Sequence, residues 1–287
     1  MLWMSLVFLY ALIKGAREIL KKKALERNTV IEVLFAYTLF SFLLVTPEVT
    51  HAFVIGPKDY LMIALKSLVI FIAWICGFNA INRMPVSMYG ILDMARVIFA
   101  MVLGMLVFKE VLGAWQWVGF GLVLLGLMML RIRSNKAGGS VAQSEKVPVK
   151  YVIMAFLSCF FNAVSGTMDK SLTKTIDDGV LQFWYMLFLV LYYAIYILVT
   201  RTHIRWKLVF KNYWIYILSV IFMIGDRALF IANAIPDSKV TVMTLIKQSC
   251  CIVTILMGRF ILKEKDTLYR LMCALVVIGG ILVAMLL

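Results

Sequence analysis

The chain has 287 residues, of which 63% are hydrophobic and only 15% are charged, and its mean hydropathy is +0.96. A soluble domain needs a larger share of charged residues to cover its surface, so this composition excludes an ordinary water-soluble protein and favours a lipid bilayer as the partner. The formal net charge of +14 falls mainly in the connections between apolar segments, which leaves no basic folded surface for nucleic acid.

Ten apolar segments follow one another along the chain. Each approaches the length of about 20 residues that a helix needs to cross a bilayer core, and each is too long for a strand of a membrane barrel. We therefore predict an all-α integral membrane protein with ten transmembrane helices. The predicted spans are residues 2–20, 29–46, 60–81, 85–107, 113–131, 150–168, 179–200, 212–232, 237–259 and 267–287.

The first segment carries no Lys or Arg before Lys14, and a basic run follows it. A cleaved signal peptide has the opposite order of charge, so this segment is predicted to be a spanning helix whose basic end lies in the cytoplasm. Arg17 and Glu18 are expected to reach the headgroups by snorkelling, as is Lys66 in the third segment. Lys14 lies deeper and is a candidate substrate-binding residue.

The connections alternate in charge. Those after the fifth, seventh and ninth segments are rich in Lys and Arg, whereas the connection after the second holds only Lys58. The positive-inside rule then predicts a multi-pass protein with both termini outside the cytoplasm and a cytoplasmic linker over residues 134–149. A bacterial inner membrane is the simplest location.

A short motif occurs twice, as NRMPVS at residues 82–87 and as NAIPDS at residues 233–238. Arg96 and Lys247 follow the two motifs at the same distance, and GMLVFKE and GRFILKE come later in the same order. This series predicts a duplication into residues 1–133 and 150–287. Since five spans is an odd number, the second half is inverted, which suits alternating access to a shared site. Each Pro of the motif also fits a tight turn that opens a helix.

Ionisable residues within the spans are expected to face a cavity or each other. Asp93 and Arg96 share one helix face and form either an ion pair or part of a site. Asp226 and Arg227 point apart, so Arg227–Asp93 and Asp226–Lys247 are possible pairings. The excess of cations favours an anionic cargo. Asn82, Asn233, Trp74 and Tyr89 complete the set of candidate substrate-binding residues, and both aromatic rings also fit ordinary helix packing.

The ten spans, the two five-helix halves and the Lys-Glu ending of each half resemble the drug/metabolite transporter superfamily, in particular its EamA-type members. The resemblance implies a basket of helices around a central cavity, which is lined by helices 3, 4, 8 and 9 and parts of helices 1 and 6. It also implies transport of a small molecule, for which the family's cargoes include amino acids, nucleosides, sugar phosphates and drugs. Lys263-Glu264 and Lys109-Glu110 are expected to cap turns.

Enzyme motifs are lacking in the sequence, and the five cysteines have neither disulfide nor zinc spacing, so no cofactor or metal is expected. A channel or lipid scramblase and a non-transport membrane protein are the alternatives to a carrier. Proton coupling through Asp93 or Asp226 is possible. Glycines near the chain's fifth and tenth spans are expected to pack the halves together or to join a second subunit, so the protein is a monomer or a homodimer. These are Gly119, Gly121, Gly126, Gly279 and Gly280.

Overall fold

The computed structural model describes residues 2–47, 55–99, 102–103, 113–136, 147–172, 175–235, 246–247, 249–264 and 267–286. Within these ranges the regular structure is helical, with eleven helices and no strand. The helices are α1 Leu2–Leu25, α2 Val30–Val45, α3 Pro57–Arg83, α4 Val86–Asp93, α5 Ala114–Lys136, α6 Val149–Leu172, α7 Asp178–Thr200, α8 Trp206–Lys211, α9 Tyr213–Ala234, α10 Cys250–Leu262 and α11 Thr267–Leu286. The short helix α8 lies in a stretch that was predicted to be a loop.

Local sequence signals account for several helix starts. Thr29 and Glu32 form a reciprocal capping box at the start of α2, in which the Glu32 carboxylate accepts from the Thr29 N–H at 2.8 Å. Asp177 caps α7 by accepting from the N–H groups of Gly179 and Val180. Pro57 stands in the first turn of α3, where its missing N–H costs nothing.

The helix contacts follow an inverted two-fold pattern. Helix α1 packs antiparallel to α9, and α3 packs in the same way against α6. Helices α2 and α7, α4 and α10, and α5 and α11 also pack across the halves. If α1–α5 correspond in order to α6, α7, α9, α10 and α11, each of these five contacts maps either onto itself or onto another of the five. The fold is therefore the predicted one, with two five-helix repeats of opposite orientation.

Glycines bring α5 and α11 into close contact. A Cβ atom added at Gly280 would lie 2.7 Å from the Gly119 carbonyl oxygen, and one added at Gly126 would lie 3.1 Å from the Cys273 carbonyl oxygen. By contrast, Cβ atoms added at Gly121 and Gly279 would meet no atom within 4 Å. Only part of the glycine set thus permits the approach of the two halves.

The outer surface of the bundle is apolar. Leu198, Val199 and Phe260 each expose about three quarters of their surface, at 76%, 77% and 76%. Three of the described helices, Pro57–Arg83, Val149–Asp169 and Gly179–Thr200, are long and apolar enough to cross a membrane by length and composition alone. Several others are apolar but shorter, and α1 carries a basic second half that is directed into the bundle.

Candidate functional site

The backbone of α4 breaks close to Arg96. Helix α4 ends at Asp93, although the sequence predicted one continuous helix over residues 85–107. The N–H groups of Met94 and Ala95 bond to carbonyls three residues back, at 3.1 and 3.0 Å, before a second helical stretch begins at Arg96. These shorter hydrogen bonds tighten the backbone into a turn within what would otherwise be one span.

A similar turn precedes helix α10 in the second repeat. Residues 246–247 are helical, and the Ser249 N–H bonds to the Ile246 carbonyl oxygen, again three residues back, before α10 begins at Cys250. Lys247 lies in this turn, just as Arg96 adjoins the turn of the first repeat. Discontinuous helices at equivalent positions of two inverted repeats are typical of a transporter's binding site.

Two cations bond to one carboxylate between these breaks. Asp93 accepts from Lys14 Nζ at 2.9 Å and from Arg96 Nη2 at 2.8 Å, and the side chain of Asp93 is 10% exposed. The charged groups that act most strongly on Lys247 are again Lys14 and Arg96, and no carboxylate pairs with it among the described residues. We call Lys14, Arg96 and Lys247 the cation cluster.

Both pairings that the sequence suggested for the deep aspartates are wrong. Asp93 is held by Lys14 and Arg96 rather than by Arg227. Asp226 is close to Arg17 rather than to Lys247, with 3.7 Å between Arg17 Nη1 and Asp226 Oδ1, and it accepts from the Tyr185 hydroxyl at 3.0 Å. Arg227 follows on α9 and is half-buried.

The prediction that Arg17 and Glu18 snorkel to the headgroups is also wrong. The Arg17 side chain is 12% exposed and lies over the Phe222 ring at 5.0 Å, while the Glu18 carboxylate accepts from Lys21 at 2.7 Å inside the bundle. Helix α1 contacts α3, α4, α9 and α10. These helices cover the face of α1 that carries Arg17. The positions Tyr10, Lys14, Arg17 and Lys21 share a helical spacing that indicates one inward stripe.

Lys66 likewise turns inward, contrary to the expected snorkelling. Its side chain is 2% exposed, its Nζ lies 2.5 Å from Asp169 Oδ1, and it stands 4.2 Å from the centroid of the Tyr185 ring. Sequence reasoning missed Asp169 because it lies at the end of a predicted span. Because Tyr185 also bonds to Asp226, a polar chain runs from α6 through α3, α7 and α9 to Arg17 on α1.

The candidate aromatic residues contact other side chains of the protein. Trp74 packs against Tyr37 and Phe222, with ring centroids 5.4 and 5.6 Å apart. Tyr89 is 6% exposed, and its hydroxyl lies beside Gly77. Tyr37, which the sequence analysis did not single out, has a buried hydroxyl without a hydrogen-bond partner among the described residues.

The turn NRMPVS lies where α1 ends and α2 begins, which we call the basic face of the bundle. Lys22 donates to the carbonyls of Ile81, Asn82 and Met84, with 2.7 Å to Asn82, so Asn82 contributes its main chain here. On the other side of the turn, Glu264 accepts from the Val86 N–H at 2.6 Å, from Ser87 and from Arg270.

Glu264 therefore caps α4 across the two repeats, in agreement with the capping role expected from the sequence. Several other residues of the repeated motifs lie outside the described residues. The turn NAIPDS is therefore not compared with the turn NRMPVS. They are Lys109, Glu110, Pro236, Ser238 and the side chain of Asn233.

Two apolar cavities are lined by none of the three residues of the cation cluster. One, of about 520 Å³, opens between α4, α5 and α6 and is lined by residues such as Met88 and Phe156. The other, of about 390 Å³, lies near Phe35 and Trp206. In the described part of the chain, no group of three or more His, Cys, Asp or Glu residues is arranged to hold a metal ion.

Comparison with known proteins identifies a family and similar solved structures. The model of a family described as the EamA-like transporter family matches residues 1–132 and 149–286. One solved structure, described only as the crystal structure of a protein, resembles this chain with a TM-score of 0.64 and 12% sequence identity. The alignment covers 99% of this chain and 96% of that one. At that identity the likeness concerns the fold alone. No curated protein matches the sequence.

Proposed function

The chain belongs to the EamA-like transporter family and is a multi-pass membrane protein, and from this premise we propose that it is a secondary transporter that moves a small organic anion or an amino-acid-like metabolite by alternating access. In this proposal the repeats are residues 1–133 and 150–287, joined by the linker 134–149. The basic face is cytoplasmic, both termini lie on the other side, and the membrane is a bacterial inner membrane.

The observation that carries the proposal is the cation cluster. Lys14 and Arg96 share Asp93 as their ion-paired carboxylate, and no carboxylate pairs with Lys247 among the described residues, so the cluster keeps an uncompensated positive charge in the middle of the bundle. Uncompensated charge inside a membrane is costly, and a bound anion would neutralise it. We assign Lys247 and Arg96 to the cargo and Asp93 to holding Lys14 and Arg96 in place.

The inverted repeats supply the mechanism of the proposal. Arg96 and Lys247 come from equivalent helices of the two halves, so each half contributes one cation to a shared site. Exchange of conformation between the halves would close the site on one face of the membrane and open it on the other. In this proposal the contact of Glu264 with Val86, which joins the two repeats at the basic face, has to break when the site opens towards that face.

Counterflow in proteoliposomes tests the proposal. Liposomes that contain the purified protein are preloaded with succinate, glutamate, benzoate or glycerol 3-phosphate, and uptake of the labelled compound is measured. We expect saturable exchange of at least one anion, reduced about tenfold to 100-fold by Lys247→Met, since a hydrogen bond to a charged group is lost. Lys207→Met is the matched control, because Lys207 is exposed on α8.

Two outcomes would contradict the proposal. Unchanged transport of every tested anion by Lys247→Met would remove the cation cluster from the site. Flux that does not saturate and shows no exchange would indicate a channel or a scramblase instead. Repeating the assay with and without a pH gradient tests coupling to protons, for which Asp93 and Asp226 are the candidate groups.

A further inference from the structure

Arg17 has donors that no group in the described part of the protein satisfies. Its Nε and Nη1 atoms are buried without a hydrogen-bond partner among the described residues. The nearest carboxylate, Asp226, lies 3.7 Å from Nη1, which is too far for a direct hydrogen bond, and it already accepts from the Tyr185 hydroxyl at 3.0 Å. A buried guanidinium with open donors is costly unless a further acceptor reaches it.

The cation cluster has a second set of open donors. Arg96 donates from Nη2 to the Asp93 carboxylate, but its Nε atom is buried without a hydrogen-bond partner in the described part of the chain. Lys247, on which the charges of Lys14 and Arg96 act, has no paired carboxylate among those residues. Over both sets, four cations face Asp93 and Asp226, so two positive charges have no counter-charge within this group.

The two sets lie side by side along α1. Lys14 and Arg17 are three residues apart on one helix face, which separates their Cβ atoms by about 5–6 Å. Lys14 belongs to the cation cluster through Asp93, while Arg17 is directed towards Asp226 and Phe222. One small ligand with two anionic groups can therefore engage both sets of donors at once.

We propose that the cargo is a small organic dianion, and that Arg17 is the residue that selects it over a monoanion. This inference rests on the proposed function and narrows its cargo class. One anionic group of the cargo lies between Arg96 and Lys247, and the other takes the open N–H groups of Arg17. A dicarboxylate and a phosphate monoester both have this chemistry, whereas a monoanion leaves one set of donors unsatisfied.

The test compares ligands of matched size on the purified full-length protein. Succinate and butyrate have the same four-carbon length, but succinate carries two negative charges and butyrate carries one. Glycerol 3-phosphate represents the phosphate monoesters. Affinity is measured by thermal stabilisation and by inhibition of counterflow. We expect at least one of the two dianions to bind about tenfold to 100-fold more tightly than butyrate, because it gains charge-assisted hydrogen bonds to Arg17.

Variants of Arg17 show whether this residue causes the preference. Arg17→Gln is expected to lower the affinity of the preferred dianion to that of butyrate while the affinity for butyrate stays unchanged. Arg17→Lys keeps the charge but loses the second donor of the fork, so it should keep part of the preference and it serves if the Gln variant does not fold. Lys207→Met is the control and should retain the full preference.

The inference and the proposed function fail in different ways. Equal affinity for butyrate and both dianions in the unchanged protein, or an equal loss of all ligands in Arg17→Gln, would overturn the dianion inference and leave anion transport intact. Absence of binding and exchange for every anion, or no effect of Lys247→Met, would overturn the proposed function itself. Preference for succinate over glycerol 3-phosphate, or the reverse, shows whether the site accepts a dicarboxylate or a phosphate monoester.

Discussion

At the scale of single residues, Asp93 organises the centre of the molecule. It is 8% exposed, and it bonds to Lys14 from another helix and to Arg96 from beyond the break in its own helix. A buried carboxylate that holds two cations fixes their side chains in place, and it does so without cancelling both charges. The position and the charge of the proposed site therefore depend on the same residue.

Removal of this carboxylate should be costly. We expect Asp93→Asn to lower the free energy of unfolding by about 3–5 kcal/mol, because Lys14 and Arg96 are then buried without their counter-charge. Unfolding in detergent micelles measures the change. The double variant Lys14→Met/Asp93→Asn should recover part of the loss. Glu26→Gln, which affects an exposed carboxylate paired with Lys23, is the control, and an equal loss in both single variants would contradict the prediction.

At the scale of elements, the contact of α5 with α11 depends on backbone atoms. The atoms that would meet a Cβ at Gly280 include the Gly119 carbonyl oxygen and the Val123 nitrogen, at 2.7 and 2.9 Å. Backbone atoms of a helix cannot shift as a flexible side chain can, so the two helices would have to separate. Gly279, the adjacent residue on the same helix, has open space instead.

This difference gives a prediction with an internal control. Gly280→Ala should lower the free energy of unfolding by about 1–3 kcal/mol through overpacking. Gly279→Ala should leave it unchanged or raise it slightly, since Ala favours helix more than Gly does. Thermal unfolding in detergent compares the two variants. Similar melting temperatures for both would show that the close approach of α5 and α11 is not needed for stability.

The sequence predicted most of the elements but fewer of the side-chain partners. Apolar length and the repeated motif were sufficient for the helices and for the inverted repeat, because both depend on local pattern. The break at Met94–Ala95 was missed, since neither residue is a helix breaker and the turn depends on tertiary contacts. Arg17 and Lys66 were placed at the headgroups because depth along a span does not reveal which helix covers a side chain.

At the scale of the whole molecule, the paired helices fix how the chain crosses the membrane. Each repeat contributes one member to every cross-half pair, and the members run in opposite directions in α1–α9 and α3–α6. If each half crosses the membrane five times, we expect both chain ends on one side and the linker between the halves on the other.

Tag accessibility in intact cells tests this arrangement. Epitope tags at Met1 and at Leu287 should be reached from outside without permeabilisation, whereas a tag inserted after Gly139 should be reached only after permeabilisation, because an odd number of spans separates them. A functional counterflow assay on each tagged protein is the control for correct insertion. Termini found on opposite sides would contradict the inverted repeat.

Glu264 belongs to one repeat and caps the first turn of α4 in the other. This contact has a mechanical consequence. Any hinge motion that parts the repeats at the basic face withdraws this carboxylate from Val86 and Ser87, and it also breaks the hydrogen bond from Arg270 to the Ser87 hydroxyl. Water has to enter and solvate these groups before the gap can widen. The cost of opening towards that compartment is thus concentrated in a few ionic contacts far from the cargo, so turnover can be tuned there without altering what is carried.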